Sequence, residues 1–364
     1  MGDKLTRLET IYLSVWSVMG TGILAIPFAI GQFTIRDGWL SVTVVLFTGL
    51  SIILVAIIHN RCFPQQSVMQ GLTLSFGRIF GRAFGLWYAL CLYLIAATVW
   101  RELIVFLEVT VYPKTALSLL AAVLVFPIFY GLHKGIKSVG LFSDFLAPLA
   151  VVVSAVFVIL SMEDVQLSSL RPILTDGLTP VLRGAVVPGI TYVLEPLVIL
   201  QLVQDLNRSK SLPWDFAIVV ALVFCFLLAL EVVSIGVLGG AIAGLRYPIL
   251  EVIRVIKISE FIERLDTLYV MAVLASIYIK LAVFIYAFCK AMEELFGLSS
   301  QKVVIWPATL LVWAGSMFLF KDVDSMGQFI ILTTPAYFIF TFVVLPVLSA
   351  GVYRFFHPKP HETS

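Results

Sequence analysis

Ionisable side chains stand deep inside long apolar runs of this chain: Arg101 and Glu102 after Val99-Trp100, Glu195 in Tyr192-Val193-Leu194-Glu195-Pro196, Glu231 in Leu230-Glu231-Val232, and Lys280 in Ile279-Lys280-Leu281. A charge near the centre of a bilayer costs at least ~2.5–3.5 kcal/mol on insertion scales, so each such group needs a partner or a task. Two further stretches carry backbone chemistry. Gly20-Thr21-Gly22-Ile23-Leu24-Ala25-Ile26-Pro27 and Val187-Pro188-Gly189-Ile190-Thr191-Tyr192 place glycine and proline where an uninterrupted helix avoids them. Backbone opened at that depth must be buried in protein or face a cavity. A half-helix starting at Gly22–Ile23 would aim free N–H groups and a positive dipole end at an anion such as a carboxylate. The same glycines also suit close helix packing, and the first stretch alone does not separate the two readings.

Composition sets the class around these residues. The 364 residues are 60% hydrophobic and 13% charged, and the mean hydropathy is +1.05. Soluble domains are ~45–50% apolar, so the chain is an all-α polytopic membrane protein. Its apolar runs are continuous rather than short and alternating, which excludes a porin-like barrel. Cys62, Cys91, Cys225 and Cys289 are widely spaced and support neither a zinc site nor a disulfide framework. No nucleophile constellation, metal-ligand cluster or P-loop is present, so neither an enzyme nor a nucleic-acid-binding protein is expected, and no cofactor. The first apolar run follows only Lys4 and Arg7 and has no small-residue cleavage site, so it is expected to be retained.

Ten transmembrane helices are expected, at roughly 10–34, 38–60, 84–110, 115–132, 140–161, 181–206, 214–243, 267–295, 303–320 and 328–354. With both termini cytoplasmic, 13 Lys and Arg residues fall inside and 9 outside, a modest tilt that agrees with an even number of spans. The connection 246–264 has apolar residues at helical spacing, with Glu251, Arg254 and Lys257 three apart; it reads as an extracytoplasmic amphipathic helix capping the bundle or docking a partner.

The sixth span is interrupted as the first is. If ten spans divide into two halves of five, 10–161 and 181–354, the two broken helices hold equivalent places, and five being odd, the second half is inverted. Interrupted segments at matched positions point to a midplane binding site between helices 1 and 6. The predicted fold is therefore a 5+5 inverted repeat with broken helices 1 and 6, in a single membrane domain. The expected ligand-binding set is Gly20, Thr21, Gly22, Ile23 and Leu24 on span 1, Pro188, Gly189, Tyr192 and Leu194 on span 6, and Ala97, Trp100 and Arg101 on span 3. The span 3 members share a face with Tyr93 and Ile104, which ordinary packing explains as well. An L-amino acid is the natural ligand: its carboxylate would meet the span 1 half-helix, its ammonium the span 6 carbonyls, and its side chain Tyr192 or Leu194.

Two roles fit Lys280. In five-plus-five folds the eighth span lies against the break of span 1, where sodium-coupled members hold a cation. The Lys280 ammonium can stand in that place, contacting carbonyls near Gly20 and Ile23, or form a structural salt bridge to Glu231 or Glu195. Glu231 is a candidate proton site or a buried hydrogen-bonding acid. Arg101 and Glu102, being adjacent, point about 100° apart and cannot both face one cavity.

The chain resembles the spore-germination permease family, the B subunits of germinant receptors, relatives of amino-acid/polyamine/organocation (APC) transporters. The resemblance spans nearly the whole chain. It rests on the Gly20–Pro27 stretch, Asp37-Gly38-Trp39, Arg101-Glu102, Tyr112-Pro113-Lys114-Thr115 and Arg171-Pro172-Ile173-Leu174. Tyr247-Pro248-Ile249-Leu250-Glu251 and Phe261-Ile262-Glu263-Arg264-Leu265-Asp266 are the more family-specific motifs. It implies a LeuT-like fold and nutrient sensing in the spore inner membrane, in a complex with an A subunit and a lipoprotein C subunit. A proton-coupled, sodium-independent amino-acid permease is the alternative.

Overall fold

A computed structural model of the chain describes residues 4–255 and 265–357. Among them, eight helical segments are long and apolar enough to cross a membrane, and Leu117–His133 and Lys302–Phe318 are two shorter apolar helices. The ten expected spans are thus α1 (Arg7–Gly31), α2 (Gly38–Cys62), α3 (Val68–Thr110), α4 (Leu117–His133), α5 (Ile136–Ser161), the interrupted segment Leu178–Asp205 that opens with α6 (Leu178–Val186), α7 (Leu212–Leu238), then, after the short α8 (Pro248–Val255), α9 (Leu265–Phe296), α10 (Lys302–Phe318) and the segment Val323–Phe356. An even number of crossings puts Lys4 and His357 on one face of the bundle, here termed the terminal face.

Span 1 departs from expectation. α1 runs without interruption through Gly20, Gly22 and Pro27. Two glycines weaken a helix by only about 1 kcal/mol each relative to alanine, whereas an unpaired backbone group in hydrocarbon costs several kcal/mol. The helix therefore holds, and Gly20 serves close packing. A Cβ on Gly20 would stand 2.6 Å from Lys280 Cβ and 2.8 Å from its Cδ, so α9 crosses α1 at a distance that only glycine permits. Three hydroxyls of α1 are satisfied locally: Thr10, Ser14 and Ser17 donate to carbonyls one turn back.

Span 6 does break. Pro188 and Pro196 each lack the N–H that a helix interior requires. α6 passes into a π-helical turn, Val187–Tyr192, in which Val193 N–H reaches back five residues to the Pro188 carbonyl at 3.0 Å. A turn at Val193–Leu194 follows, then a 3-10 segment over Glu195–Asp205. Runs of 3-10 geometry this long are uncommon and mark strained or hinge-like segments.

α1 sits centrally, packed on α9, α7, α5 and the span 6 break; α2 lies against α7, and α3 against α9 and α10. α4 and α5 present Phe126, Phe145 and Val151 outward, as a lipid-facing surface requires. Within α3, Gly77 adopts φ +72°, a left-handed conformation natural to glycine, and separates a short leading helix from the span proper. α8 buries Pro248, Ile249, Leu250, Val252 and Ile253 and turns Glu251 and Arg254 outward as an ion pair of 2.7 Å. The remainder of the expected amphipathic connection, residues 256–264 with most of the Phe261–Asp266 motif, lies outside the described residues.

On the terminal face the chain start is laced to the second half. Leu5 N–H donates to the Asp205 carbonyl at 2.8 Å, and Asn207 N–H to the Leu5 carbonyl at 3.0 Å. Arg7 pairs with Asp215 at 2.6 Å, Lys137 with Glu9 at 2.6 Å and Lys290 with Asp205 at 2.5 Å.

The α2–α7 crossing yields a direct test of packing. A Cβ on Gly49 would lie 2.6 Å from Val220 Cγ1. Gly49→Ala is expected to destabilise by about 1–3 kcal/mol through overpacking. Val220→Ala in the same chain should recover part of that loss, as read by thermal unfolding of the purified protein.

Candidate ligand site at the centre of the bundle

The span 6 break delivers Glu195 to the bundle centre at the head of the 3-10 segment, and α9 delivers Lys280 to the same point. The Lys280 Nζ lies 2.7 Å from Glu195 Oε1 and donates to Glu195 Oε2 and to the Thr21 hydroxyl, each at 2.8 Å. All three are buried, with Lys280 and Thr21 at 0% exposure. The ammonium also sits 5.0 Å from the centre of the Tyr192 ring, within range of a cation–π attraction. Tyr192 in turn donates its phenol hydrogen to Glu102 Oε1 at 3.4 Å. Ser276, one turn before Lys280, approaches the Gly20 carbonyl at 3.4 Å. The ammonium's hydrogen-bond partners on spans 1 and 6 are thus the Thr21 hydroxyl and the Glu195 carboxylate, not the carbonyls of Gly20 and Ile23.

The structure brings together Thr21, Gly22, Tyr192, Glu195 and Lys280. Gly22 lies across from Tyr192, its Cβ position 3.8 Å from the ring. Leu24, two residues further along α1, lines a cavity of about 60 Å³ on the side away from the terminal face. Ile23 is partly buried at the edge of the core. Gly189 faces α2 instead, its Cβ position 2.9 Å from the Thr48 hydroxyl. Pro188 supplies the carbonyl that closes the π-helical turn, and Leu194 is core.

The three span 3 residues expected here are not gathered, and one that was passed over is. On α3, Tyr93 packs against Phe288, with ring centres 6.0 Å apart, and its hydroxyl lies against Gly315 of α10. Ala97 and Trp100 share that face and are fully buried. Arg101, 5% exposed, has an unpartnered Nε. Glu102 is nearly opposite the Tyr93–Trp100 stripe, and it is Glu102 that meets Tyr192. The 100° offset between neighbours was legible, but which of Arg101 and Glu102 faces inward depends on the absolute rotation of α3, which its partner helices set. Glu231 also stands apart. Its two carboxylate oxygens are buried without a hydrogen-bond partner among the described residues, and its Oε1 lies against Gly38 at the start of α2. Of the two salt bridges open to Lys280, the one to Glu195 is formed.

The arrangement offers a locked ion pair, a second acid that meets the Tyr192 phenol, and a small cavity beyond it.

Comparisons with known proteins agree with this frame. A family profile described as spore germination protein matches residues 4–325. Spore germination protein KB of Bacillus subtilis (strain 168) is 24% identical over 297 residues, covering 80% of this chain and 79% of that protein. Spore germination protein XB of Bacillus anthracis is 25% identical over 254 residues, covering 69% and 70%. Among solved structures, Mhp1, a nucleobase-cation-symport-1 family transporter in a closed conformation with bromovinylhydantoin bound, superposes with a TM-score of 0.68 at 13% identity, covering 97% of this chain and 93% of that one. MhsT in complex with L-phenylalanine gives a TM-score of 0.62 at 15% identity, covering 98% and 90%. At such identities the likeness establishes the fold alone, the LeuT-like five-plus-five architecture. With the family profile extending over most of its length, this multi-pass membrane protein belongs to the spore germination protein family.

Proposed function

We propose that the chain is the nutrient-sensing membrane subunit of a spore germinant receptor, binding an L-amino acid at the bundle centre and passing a conformational change to partner subunits. The observation that carries this reading is the Lys280–Glu195–Thr21 cluster, which ties α9 to α1 and to the span 6 break at one buried point. A ligand that alters the break alters the packing of all three. The partners proposed are a receptor A subunit and a lipoprotein C subunit, in the inner membrane of the spore, with the terminal face cytoplasmic and α8 on the other side. The binding set is drawn from Thr21, Gly22, Leu24 and Tyr192, joined by Glu102. Lys280 supplies a fixed internal cation between spans 1, 6 and 8.

That internal cation also favours the second reading, a sodium-independent permease coupled to protons through Glu195 or Glu231. One paired experiment separates the two. The purified chain is screened with L-amino acids by thermal shift, since a ligand of the native state raises apparent stability, and then placed in liposomes under an imposed proton gradient. Stabilisation without uptake, lost in Tyr192→Ala, is the expected result. Gradient-driven accumulation of the same amino acid would make the protein a working permease, and the receptor reading would fall.

A further inference from the structure

We infer that the cavity beyond the ion pair is a subsite for the zwitterionic head of an α-amino acid, with Glu102 taking the ammonium and Arg246 the carboxylate. The inference rests on the amino-acid reading above and assigns the charged contacts that reading leaves open. The cavity, about 60 Å³, is lined by Leu24, Ala25 and Phe28 of α1, Val187 of the break, and Met326 and Ile330 of the last span. Into this apolar lining project one acid and one base, from different elements: Glu102 from α3, and Arg246 with Tyr247 from the connection between α7 and α8.

The two charges are differently placed from the others nearby. Glu195 holds the Lys280 ammonium through both oxygens, so its charge is matched by contact. Glu102 has no ion-pair contact; it accepts a long hydrogen bond from the Tyr192 phenol and stands near the Thr21 hydroxyl. Arg246 is exposed, forms no ion pair with another described residue, and leans over the Tyr247 ring at 5.9 Å. Tyr247 is braced edge-on against Phe106, one turn beyond Glu102 on α3, at 5.2 Å. The same aromatic contact therefore ties the stretch that carries Arg246 to the helix that carries Glu102. A solute that carries both an ammonium and a carboxylate offers a partner to each of the two groups lining this cavity, and a guanidinium suits a carboxylate through two parallel hydrogen bonds. A cavity of this size admits a small solute, and its lining favours a small apolar side chain against Leu24 and Ile330.

The test uses the full-length protein and thermal shift with glycine, L-alanine, L-valine and L-leucine, followed by the full set of common L-amino acids. For alanine the matched probes are propionate, which lacks the ammonium, and ethylamine, which lacks the carboxylate; other amino acids take the corresponding pair. The expected result is that an amino acid stabilises the protein while its acid and amine analogues do not. Glu102→Gln and Arg246→Gln should each weaken binding about 10- to 100-fold, the loss of one charged hydrogen-bonded contact. Glu102→Gln is isosteric and Arg246 is exposed, and ligand-free unfolding curves matching the native protein verify that both variants fold. Should Glu102→Gln prove unstable, the propionate and ethylamine comparison on the native protein decides alone. An amino acid that binds both variants as tightly as the native protein, or whose acid or amine analogue binds equally well, overturns the subsite while the amino-acid reading survives. If no L-amino acid binds the native protein, both fall.

Discussion

Lys280→Met is expected to lower the stability of the folded protein by about 3–5 kcal/mol, the usual consequence of breaking a buried ion pair by removing one partner. Lys280 is wholly buried and its ammonium is shared between the Glu195 carboxylate and the Thr21 hydroxyl. Removing it leaves the Glu195 carboxylate facing apolar side chains and a tyrosine ring. The size-matched double variant Lys280→Met/Glu195→Leu removes both charges, and apolar replacements of a whole buried pair are often neutral or stabilising. The double variant should therefore regain most of the loss. A double variant no more stable than Lys280→Met would show that the pair is not what the single change disrupts. If the Lys280 ammonium acts as the internal cation proposed above, the native protein should unfold at the same temperature in sodium and choline chloride.

Gly20→Val is the second large effect expected, and it acts through shape rather than charge. The first atom of any side chain at residue 20 would fall 2.6 Å from Lys280 Cβ and 3.1 Å from the Ser276 carbonyl oxygen, so backbone and side chain are both in the way. Gly20→Ala should cost about 1–3 kcal/mol by overpacking, and Gly20→Val enough to prevent recovery of folded protein. Gly22, two residues on, provides the contrast. Its Cβ position meets only the flexible end of Ile26 at 3.1 Å and the Tyr192 ring at 3.8 Å. Gly22→Ala should fold with native-like stability, and any effect it has should appear in ligand binding. Equal losses at both glycines, measured by thermal unfolding, would contradict the packing account.

The contrast between these glycines bears on what the sequence made legible. Class, span number and the break in span 6 were readable because each depends on local properties: apolar length, and prolines that delete N–H groups outright. The pairing of Lys280 with Glu195 stood among the alternatives because so few charges lie within the spans. The continuity of α1 was not readable. It turns on a competition between a weak glycine penalty and the strong need to keep mid-membrane backbone paired, and the same residues fit both outcomes. The inward turn of Glu102 rather than Arg101 depends on how α9, α10 and the last span hold α3. Glu231 was grouped with the coupling residues by its depth in its span, yet its carboxylate lies against Gly38 at the start of α2, with no hydrogen-bond partner among the described residues. Arg246 gave no signal, because a charge in a connection looks solvated until the fold swings it over a cavity.

The ion pair at the centre also sets a timetable for biogenesis. Glu195 and Lys280 are separated by 85 residues, and chains emerge at roughly 5–20 residues per second, so the acid waits roughly 4–17 s for its base. During that interval the sixth span, with two prolines and an unmatched carboxyl group, is poorly suited to rest alone in lipid. Insertion of spans 6 to 8 is then expected to be cooperative, with the sixth kept out of the lipid until the eighth arrives. A nascent chain arrested before residue 280 should leave span 6 accessible to aqueous cysteine-labelling reagents, and one arrested well beyond it should not.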